Sequence, residues 1–260
     1  MKVAINGVTG RMGLTLVRLA RAAGDEIVGG ACAPSDAHVG RDLGELAGIG
    51  AFGVAASPDA GSALLGADVV IDFSSPQALP ALLLAAVNQK VAVVSGTTGL
   101  DDTAQAALDR AAQTVPVLWA PNTSLGVHVL AELVEDAVRK LGPRFDVEIM
   151  EVHHRKKVDA PSGTALRLAN AARAGRPELA DVHARDGLVG ARTAKELGVL
   201  AVRGGDVIGD HTVFLLGTGE RLELTHRASS RDLFADGALA AARFVAGKPP
   251  GRYTLKDVLT

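Results

Sequence analysis

The sequence is poor in cysteine and nearly neutral, and each of these features excludes a class of protein. Its 260 residues include a single cysteine, Cys32, so an intramolecular disulfide is impossible and a reducing compartment is expected. The formal net charge is −2, whereas proteins that bind nucleic acid independently of sequence need a basic surface. We therefore expect no nucleic-acid partner, although a local basic patch can still attract a small acidic substrate.

Long apolar runs are also missing. No stretch of roughly 18 residues lacks a polar or charged interruption, so we expect no transmembrane helix and no membrane partner. The chain starts with a strand-like segment instead of a basic and apolar leader, which predicts a cytoplasmic protein. Hydrophobic residues make up 48% and charged residues 22%, which is typical of a soluble globular chain with one large or two modest domains.

Glycine is concentrated near the start of the chain. The stretch "GVTGRMG" places Gly7, Gly10 and Gly13 after the short apolar run at 3–5. A segment whose apolar residues have helical spacing follows it. Glycines in such a strand-to-helix turn let the backbone approach a pyrophosphate, which the N-terminus of the helix attracts. The spacing is GxxGxxG and not the common GxGxxG, so tight packing of the helix on the strand is an alternative explanation of the motif.

The first half of the chain alternates strand-like and helical segments, which predicts βαβ units and a parallel sheet. The predicted strands cover residues 2–6, 26–32, 68–73, 91–95 and 115–119. Ser75 and Pro76 are expected to begin a helix, as its N-cap and its first residue. Polar or glycine-containing turns follow the strands at 7–13, 74–75, 96–99 and 120–124. Turns at the carboxyl ends of parallel strands form the ligand-binding edge of an open α/β sheet.

The pattern changes in the second half of the chain. Helices are predicted over 125–141, 162–172 and 231–246, and strands over 145–152, 199–203, 211–216 and 221–226. Gly217 and Gly219 fall between the last two strands and predict a hairpin. We therefore expect a Rossmann-like domain of residues 1–124 with 231–260, and an inserted α+β domain of residues 125–230 with a mixed sheet.

The most unusual segment is "EVHHRKKVDAPSGT", residues 151–164. Such a charge cluster is often just a solvated surface. This one, however, extends an apolar strand, and its histidines and lysines are the side chains most readily tuned to exchange protons near neutral pH. It also ends in Pro161-Ser-Gly-Thr164, a second helix start with hydroxyl groups. A cationic cluster beside a helix N-terminus suits a substrate that carries carboxylates.

A metal site is a competing interpretation of the same segment, because Glu151, His153 and His154 are potential ligands. Adjacent histidines on a strand point to opposite faces, and the sequence has no HExxH motif or paired His and Cys spacing. We therefore predict that the protein has no metal site.

Six motifs together resemble the 4-hydroxy-tetrahydrodipicolinate reductase (dihydrodipicolinate reductase) family. They are "GVTGRMG", "GTTG" at 96–99, "APNTSLG" at 120–126, "EVHHRKKVDAPSGTA" at 151–165, "RGGDVIGDHTV" at 203–213 and "HRASSR" at 226–231. The resemblance covers essentially the whole chain. It implies an NADH- or NADPH-dependent oxidoreductase of the diaminopimelate route to lysine, which reduces a cyclic dicarboxylate imine to tetrahydrodipicolinate. It also implies a homotetramer.

The resemblance assigns roles to individual residues. His153 and Lys157 would be the catalytic proton donors, and the substrate carboxylates would be bound by His154, Gly163 and Thr164. The cofactor would be contacted by Gly7, Val8, Thr9, Gly10, Arg11, Met12, Gly96, Thr97, Thr98, Ala120, Pro121, Asn122 and Thr123. Physically, a cation beside the ring nitrogen can stabilise the charge that shifts during hydride transfer.

The chain departs from the family pattern after its second strand. Members of the family usually have an acidic residue there, often followed by arginine, to meet the adenosine ribose or its 2′-phosphate. Here Ala33 and Pro34 occupy those places, so the ribose could be met only if Asp36 turns toward it, and a 2′-phosphate only by Arg11 of the glycine-rich turn. We therefore predict weak discrimination between NADH and NADPH.

Two other functions are compatible with parts of the sequence. A related dehydrogenase could use the same histidine and lysine on another imine, and a regulatory protein could have kept nucleotide binding without catalysis. The presence of His153 and Lys157 beside the Ser-Gly-Thr helix start argues against the regulatory function.

Overall fold

The computed structural model describes residues 1–260, which form two compact units. The first unit comprises Met1–Ser124 and Asp232–Thr260, and the second unit comprises Leu125–Arg231. The strands are β1 (Lys2–Asn6), β2 (Glu26–Ala31), β3 (Ala56–Ser57), β4 (Val69–Asp72), β5 (Ala92–Ser95), β6 (Pro116–Trp119), β7 (Asp146–His153), β8 (Ala180–Val182), β9 (Glu196–Arg203), β10 (Asp210–Leu216), β11 (Arg221–Arg227) and β12 (Gly251–Tyr253). The α-helices are α1 (Arg11–Ala22), α2 (Leu43–Ala47), α3 (Ala60–Ala63), α4 (Leu79–Gln89), α5 (Asp102–Ala111), α6 (Leu125–Leu141), α7 (Gly163–Gly175), α8 (Asp232–Val245) and α9 (Leu255–Leu259).

A seven-stranded sheet in the order β12-β6-β5-β4-β1-β2-β3 forms the centre of the first unit. All its paired strands run parallel. Every residue of β4 and β5 is buried, as expected for strands covered on both faces. The chain runs from β1 through β2 to β3 at one edge and then returns to β4 on the other side of β1. The carboxyl ends of β1 and β4 therefore form a topological switch point, where sheets of this kind bind ligands.

Helix α4 begins later than the sequence predicted. Ser75 and Pro76 lie in a turn, in which the Ala78 N–H donates to the Ser75 carbonyl at 3.1 Å. The helix starts at Leu79 and has Pro80 in its first turn. Proline is favoured in the first turn because its missing N–H costs nothing there, and Pro80 meets that preference as well as Pro76 would. The predicted helix is present, but its predicted start was wrong.

The second unit contains a five-stranded mixed sheet in the order β11-β10-β7-β9-β8. Strand β10 is antiparallel to both β7 and β11, whereas β7 and β8 are parallel to β9. The predicted hairpin joins β10 to β11, and the Gly217 N–H donates to the Glu220 carbonyl at 2.9 Å. Together the two sheets confirm the predicted fold class.

Helices α6 and α7 cover one face of this mixed sheet. Their apolar residues pack into a core with those of the strands, and Val134, Leu168 and Ile149 in that core are fully buried. Side chains of β7 alternate between the two faces of the sheet, so residues two apart share a face. This alternation places Glu151 and His153 on the same buried face as Ile149, at the end of the strand next to the start of α7.

Candidate active site

The glycine-rich turn after β1 lies at the switch point of the first unit. Gly7 has a φ of +76°, and a Cβ atom there would come within 2.5 Å of the Phe73 carbonyl oxygen. A Cβ on Gly13 would lie 2.3 Å from the Gly7 carbonyl oxygen, so only glycine lets α1 approach the turn this closely. The packing interpretation of the motif is therefore correct for Gly7 and Gly13.

Gly10 differs from the other two glycines. It is the N-cap of α1 and provides no side-chain hydrogen bond to the first turn. A Cβ there would meet only the Gly7 carbonyl oxygen, at 3.2 Å. The N-terminus of α1 thus has no side-chain cap, and the glycine beside it is less tightly enclosed than Gly7 or Gly13. This arrangement fits the pyrophosphate of a dinucleotide, which would accept hydrogen bonds from the first turn of the helix.

Asp36 contacts the same turn. Its Oδ2 atom accepts a hydrogen bond from the Thr9 hydroxyl at 2.6 Å, and its Oδ1 atom accepts from the backbone N–H of His38 at 2.9 Å. These hydrogen bonds lower the pKa of Asp36 to about 2, and the one from Thr9 has the largest effect, followed by those from His38. An ionised carboxylate therefore lies against the turn, although Ala33 and Pro34 occupy the positions after β2 where the family pattern expects the charges.

A buried carboxylate, Asp72, connects the turns that follow the central strands. Its oxygens accept hydrogen bonds from the side chains of Asn6 at 2.8 Å, Ser95 at 2.7 Å and Thr97 at 2.8 Å. These partners come from the ends of β1 and β5 or just beyond, so one acidic residue fixes both turns relative to β4. Sequence analysis missed Asp72, although an acid ending an apolar strand is a usable signal.

The remaining predicted cofactor residues follow β5 and β6. Gly96 packs against Phe73, because a Cβ there would lie 2.3 Å from the Phe73 ring. The Trp119 indole donates to the Thr97 carbonyl at 2.9 Å, and the Thr123 hydroxyl donates to the Phe234 carbonyl at 2.6 Å. The structure thus brings together, at the carboxyl edge of one sheet, all the predicted cofactor residues: Gly7, Val8, Thr9, Gly10, Arg11, Met12, Gly96, Thr97, Thr98, Ala120, Pro121, Asn122 and Thr123.

The predicted catalytic and substrate residues all lie in the second unit. His153 ends β7 and is 8% exposed. Its Nδ1 atom lies 2.6 Å from Oε2 of Glu151, whose side chain is completely buried. Burial lowers the pKa of His153, and the opposing influence of Glu151 is too weak to restore it. The free protein therefore favours a neutral imidazole at this position.

Glu151 is the centre of a hydrogen-bonded network. The Arg203 guanidinium donates to both of its oxygens, at 2.7 and 2.8 Å, and the Ser162 N–H donates to Oε1 at 3.0 Å. Burial alone would raise the pKa of the Glu151 carboxyl, but these donors and His153 outweigh burial, and the pKa lies below its usual value. From the sequence, Glu151 was identified only as a potential metal ligand, and Arg203 was not identified.

The loop after β7 positions the other predicted residues. The Lys157 ammonium pairs with Asp159 at 2.8 Å, and the Asp159 carbonyl accepts from Arg203 at 2.7 Å. The Arg231 guanidinium lies 3.1 Å from Nε2 of His154. Because arginine only donates, Nε2 of His154 is the acceptor.

Helix α7 begins at this loop. The Ser162 hydroxyl accepts from the Ala165 N–H at 3.1 Å and lies 3.0 Å from Nε2 of His211. Gly163 is the first helical residue, and a Cβ there would meet no atom within 4 Å. Packing within the protein therefore does not require glycine at position 163. A glycine of this kind leaves room for a ligand at the helix N-terminus.

His211 is a further buried residue that sequence analysis missed. Its ring packs edge-on against His153, with the ring centroids 5.1 Å apart. Burial lowers the pKa of His211 to about 4, and the nearby His153 contributes the next largest effect.

No group of three or more His, Cys, Asp or Glu side chains has the arrangement of a metal site. None of the helices is both apolar and long enough to span a membrane.

The fold and the two sets of residues define a class of protein, the dinucleotide-binding oxidoreductases. Comparison with known proteins then identifies the family. The model "Dihydrodipicolinate reductase, N-terminus" matches residues 1–123, and "Dihydrodipicolinate reductase, C-terminus" matches residues 126–259. The chain belongs to the dihydrodipicolinate reductase family.

Individual relatives agree with this result over the whole chain. The 4-hydroxy-tetrahydrodipicolinate reductase of Myxococcus xanthus is 49% identical over 264 residues, which cover 100% of this chain and 97% of the relative. The enzyme of the same name from Alkalilimnicola ehrlichii is 48% identical, with 99% and 98% covered. A solved structure, the dipicolinate-bound dihydrodipicolinate reductase from Paenisporosarcina sp. TG-14, has the same fold, with a TM-score of 0.81, 24% identity, and 100% and 99% covered.

The predicted activity is confirmed. The protein is an oxidoreductase that reduces 4-hydroxy-tetrahydrodipicolinate in the diaminopimelate route of lysine biosynthesis. Its family and its Rossmann-like unit imply a nicotinamide dinucleotide as cofactor. Its substrate is a small molecule.

Proposed function

We propose that the second unit binds the dicarboxylate substrate and supplies the proton, and that the first unit binds NADH or NADPH. The observation that supports the second-unit role best is the placement of His153. His153 is the last residue of β7, and its Nδ1 atom lies 2.6 Å from Glu151. It adjoins both the loop that carries Lys157 and the start of α7. His153 and Lys157 are the proposed catalytic residues.

The cationic groups of this unit suit a dianionic substrate. His154, Gly163 and Thr164 are proposed to bind a carboxylate, with Gly163 leaving the space that the carboxylate would enter. Arg231, already in contact with His154, adds a guanidinium that can pair with the same charge. A bound dianion would also raise the pKa of His153, because an opposite charge favours the imidazolium.

The proton and the hydride have different sources. The 4-hydroxyl group of the substrate leaves as water, and a bound nicotinamide would supply the hydride to C4 of the resulting conjugated imine. A proton then has to reach the neighbouring ring carbon, and we propose that His153 or Lys157 delivers it. The positive charge of Lys157 near the ring would stabilise the electron density that moves during the reaction.

Cofactor use is proposed to be weakly selective. Gly7–Met12 would bind the pyrophosphate, and residues 96–98 and 120–123 would contact the nicotinamide end. Asp36 is ionised beside Thr9 and can accept hydrogen bonds from ribose hydroxyls, which favours NADH. Arg11, in the first turn of α1, can bind a 2′-phosphate, which favours NADPH. We expect the two kcat/KM values to differ by less than about a hundredfold.

We propose that the protein is a cytoplasmic homotetramer that associates through the mixed sheet. The face of this sheet opposite α6 and α7 carries Met150, Val202 and Leu216, which are 37%, 45% and 36% exposed. Apolar side chains on an uncovered sheet face suit contact with a second copy of the chain. Sedimentation velocity of the wild type and of Val202→Asp tests this, because a dissociated variant is expected and an unchanged sedimentation coefficient contradicts it.

The proposed catalytic role is tested by following oxidation of NADH and of NADPH while the substrate is generated enzymatically. We expect Lys157→Ala to lower kcat about 10²- to 10⁴-fold. Lys156→Ala is the matched control, since Lys156 is adjacent, exposed and outside the ion pair with Asp159. Comparable rates for Lys157→Ala and Lys156→Ala would remove Lys157 from the mechanism.

A further inference from the structure

The Glu151 carboxylate connects several elements of the second unit. Four nitrogen atoms from three partners lie within hydrogen-bond distance of its two oxygens: two nitrogens of Arg203, the N–H of Ser162 and Nδ1 of His153. The partners belong to β9, to the N-cap of α7 and to the end of β7. One buried carboxylate thus contacts both His153 and the start of the helix that carries Gly163 and Thr164.

The charge on Glu151 determines which nitrogen of His153 carries the proton. An ionised carboxylate can only accept hydrogen bonds, so Nδ1 of His153 must be the protonated nitrogen of the neutral ring. Nε2 is then the nitrogen that can take up and release a proton. Gly209 lies beside this nitrogen, and a Cβ there would come within 2.9 Å of Nε2, so glycine leaves room for the ring.

Arg203 links this orientation to the neighbouring loop. It holds Glu151 in its ionised form and at the same time donates to the Asp159 carbonyl, and Asp159 pairs with Lys157. The route from His153 to Lys157 therefore consists of contiguous hydrogen bonds and ion pairs. Ser162 extends the network to His211, whose ring packs against His153.

We propose that Glu151 is a positioning residue for the reduction: it fixes His153 as the Nδ1–H tautomer, so that Nε2 faces the substrate, and it sets the start of α7 by holding the Ser162 N–H. This role rests on the proposed function of His153. Glu151 itself touches neither substrate nor cofactor in this proposal. Comparable carboxylates that orient a ligand or catalytic histidine contribute tenfold or more to activity.

The charges around His153 predict how it responds to pH. The groups that face it are Glu151 on its own strand, Arg203 on β9, His211 on β10 and Lys157 on the loop. Only Glu151 favours the imidazolium, while burial and the cations oppose it. Loss of the Glu151 charge should therefore shift the titration of His153 to lower pH.

The first experiment uses the unaltered protein. Nitrogen-15 NMR of histidine-labelled protein, with the His153 signals assigned by their absence in His153→Gln, reports which ring nitrogen is protonated. We expect the Nδ1–H tautomer at pH 8. The Nε2–H tautomer would overturn the proposal, whatever the variants do, so the result does not depend on any variant folding.

The second experiment compares Glu151→Gln with Glu148→Gln. Both glutamates lie on β7 and pair with arginines, but Glu148 is on the opposite face and contacts Arg185 and Arg192 instead of His153. We expect Glu151→Gln to lower kcat at least tenfold and to shift the His153 titration to lower pH, and Glu151→Asp to recover part of both. Glu148→Gln should retain wild-type kcat and titration.

A wild-type kcat in Glu151→Gln would overturn the positioning role. Failure of the proposed function has a different signature: His153→Gln would then turn over at the wild-type rate, while the tautomer measured in the wild type would be unaffected.

Discussion

Thr9 and Asp36 are 27 positions apart in the sequence, yet the Thr9 hydroxyl donates to the Asp36 carboxylate at 2.6 Å. This contact brings an acidic group to the glycine-rich turn from beyond β2. The carboxylate thus lies against the turn although Ala33 and Pro34 follow the strand directly. We therefore propose that Asp36, together with Arg11, influences the choice between the two cofactors.

Asp36→Asn should shift cofactor selectivity toward NADPH. The amide removes the negative charge that repels a 2′-phosphate and weakens hydrogen bonding to the ribose hydroxyls. We expect the ratio of kcat/KM for NADPH to that for NADH to rise about tenfold, as for the loss of one charged contact. Steady-state rates with each cofactor measure this ratio.

Asp68→Asn is the control for this change. Asp68 precedes β4 and so lies at the amino edge of the sheet, where its carboxylate accepts from the Lys2 N–H at 2.7 Å. The ratio should stay at the wild-type value in this variant. A ratio that is equally unchanged in Asp36→Asn would show that Asp36 does not contact the ribose.

Gly10→Ala and Gly13→Ala should separate cofactor binding from folding. A methyl group on Gly10 lies 3.2 Å from one carbonyl oxygen, whereas on Gly13 it lies within 2.5 Å of three backbone atoms. We expect Gly10→Ala to fold with a near-wild-type thermal midpoint but to bind NADH at least tenfold more weakly, because the methyl group occupies the approach to the helix. Gly13→Ala should be destabilised by about 3 kcal/mol or more, or fail to fold.

Thermal unfolding and fluorescence titration with NADH distinguish these outcomes. Unchanged NADH affinity in Gly10→Ala would mean that no pyrophosphate lies against this turn. A stable Gly13→Ala would contradict the packing explanation of that glycine.

Much of this architecture was predictable, because its signals are local. Apolar runs followed by polar or glycine-containing turns identify β1, β4 and β5, and the glycines of the β10–β11 hairpin lie within the turn that they form. Strands β3, β8 and β12 were not predicted. They contain only two or three residues, and their pairing depends on neighbouring strands that no local pattern reveals.

The site was predictable in its residues but not in its network. His153 and Lys157 could be found from one segment, whereas the role of Glu151 depends on Arg203, which is 52 positions away and adjacent only because β7 and β9 pair in parallel. The spacing of Glu151 and His153, two residues apart on a strand, does contain a signal, since such residues share a face. That signal shows that they are neighbours and not that Arg203 keeps the carboxyl ionised.

Gly163→Ala should affect substrate binding and leave cofactor binding unchanged. The methyl group meets no atom of the chain, and alanine is a better helix former than glycine, so the thermal midpoint should stay the same or rise. If a carboxylate lies at this helix start, the methyl group blocks it, and the substrate KM should increase about tenfold or more. Gly10→Ala is the reciprocal control, with NADH affinity changed and substrate KM retained. An unchanged KM in Gly163→Ala would place the substrate carboxylate elsewhere.

His211 should make the protein less stable in mild acid. Its pKa is near the usual 6.5 in the unfolded chain but about 4 in the folded protein. Between these values the unfolded state binds a proton that the folded state does not, so the free energy of unfolding decreases as the pH falls from 6.5 to 4. The difference between the two pKa values corresponds to about 3 kcal/mol of unfolding free energy, which is present above pH 6.5 and lost once the pH falls to 4.

His211→Gln removes this proton-binding group and can keep a hydrogen bond to Ser162. The thermal midpoint of the wild type should therefore fall more steeply than that of the variant between pH 7 and pH 4.5. His183→Gln is the control, since His183 lies in the same unit but is exposed, and its midpoint should follow the wild type. Parallel pH dependence in the wild type and His211→Gln would show that the pKa of His211 does not differ between the folded and the unfolded protein.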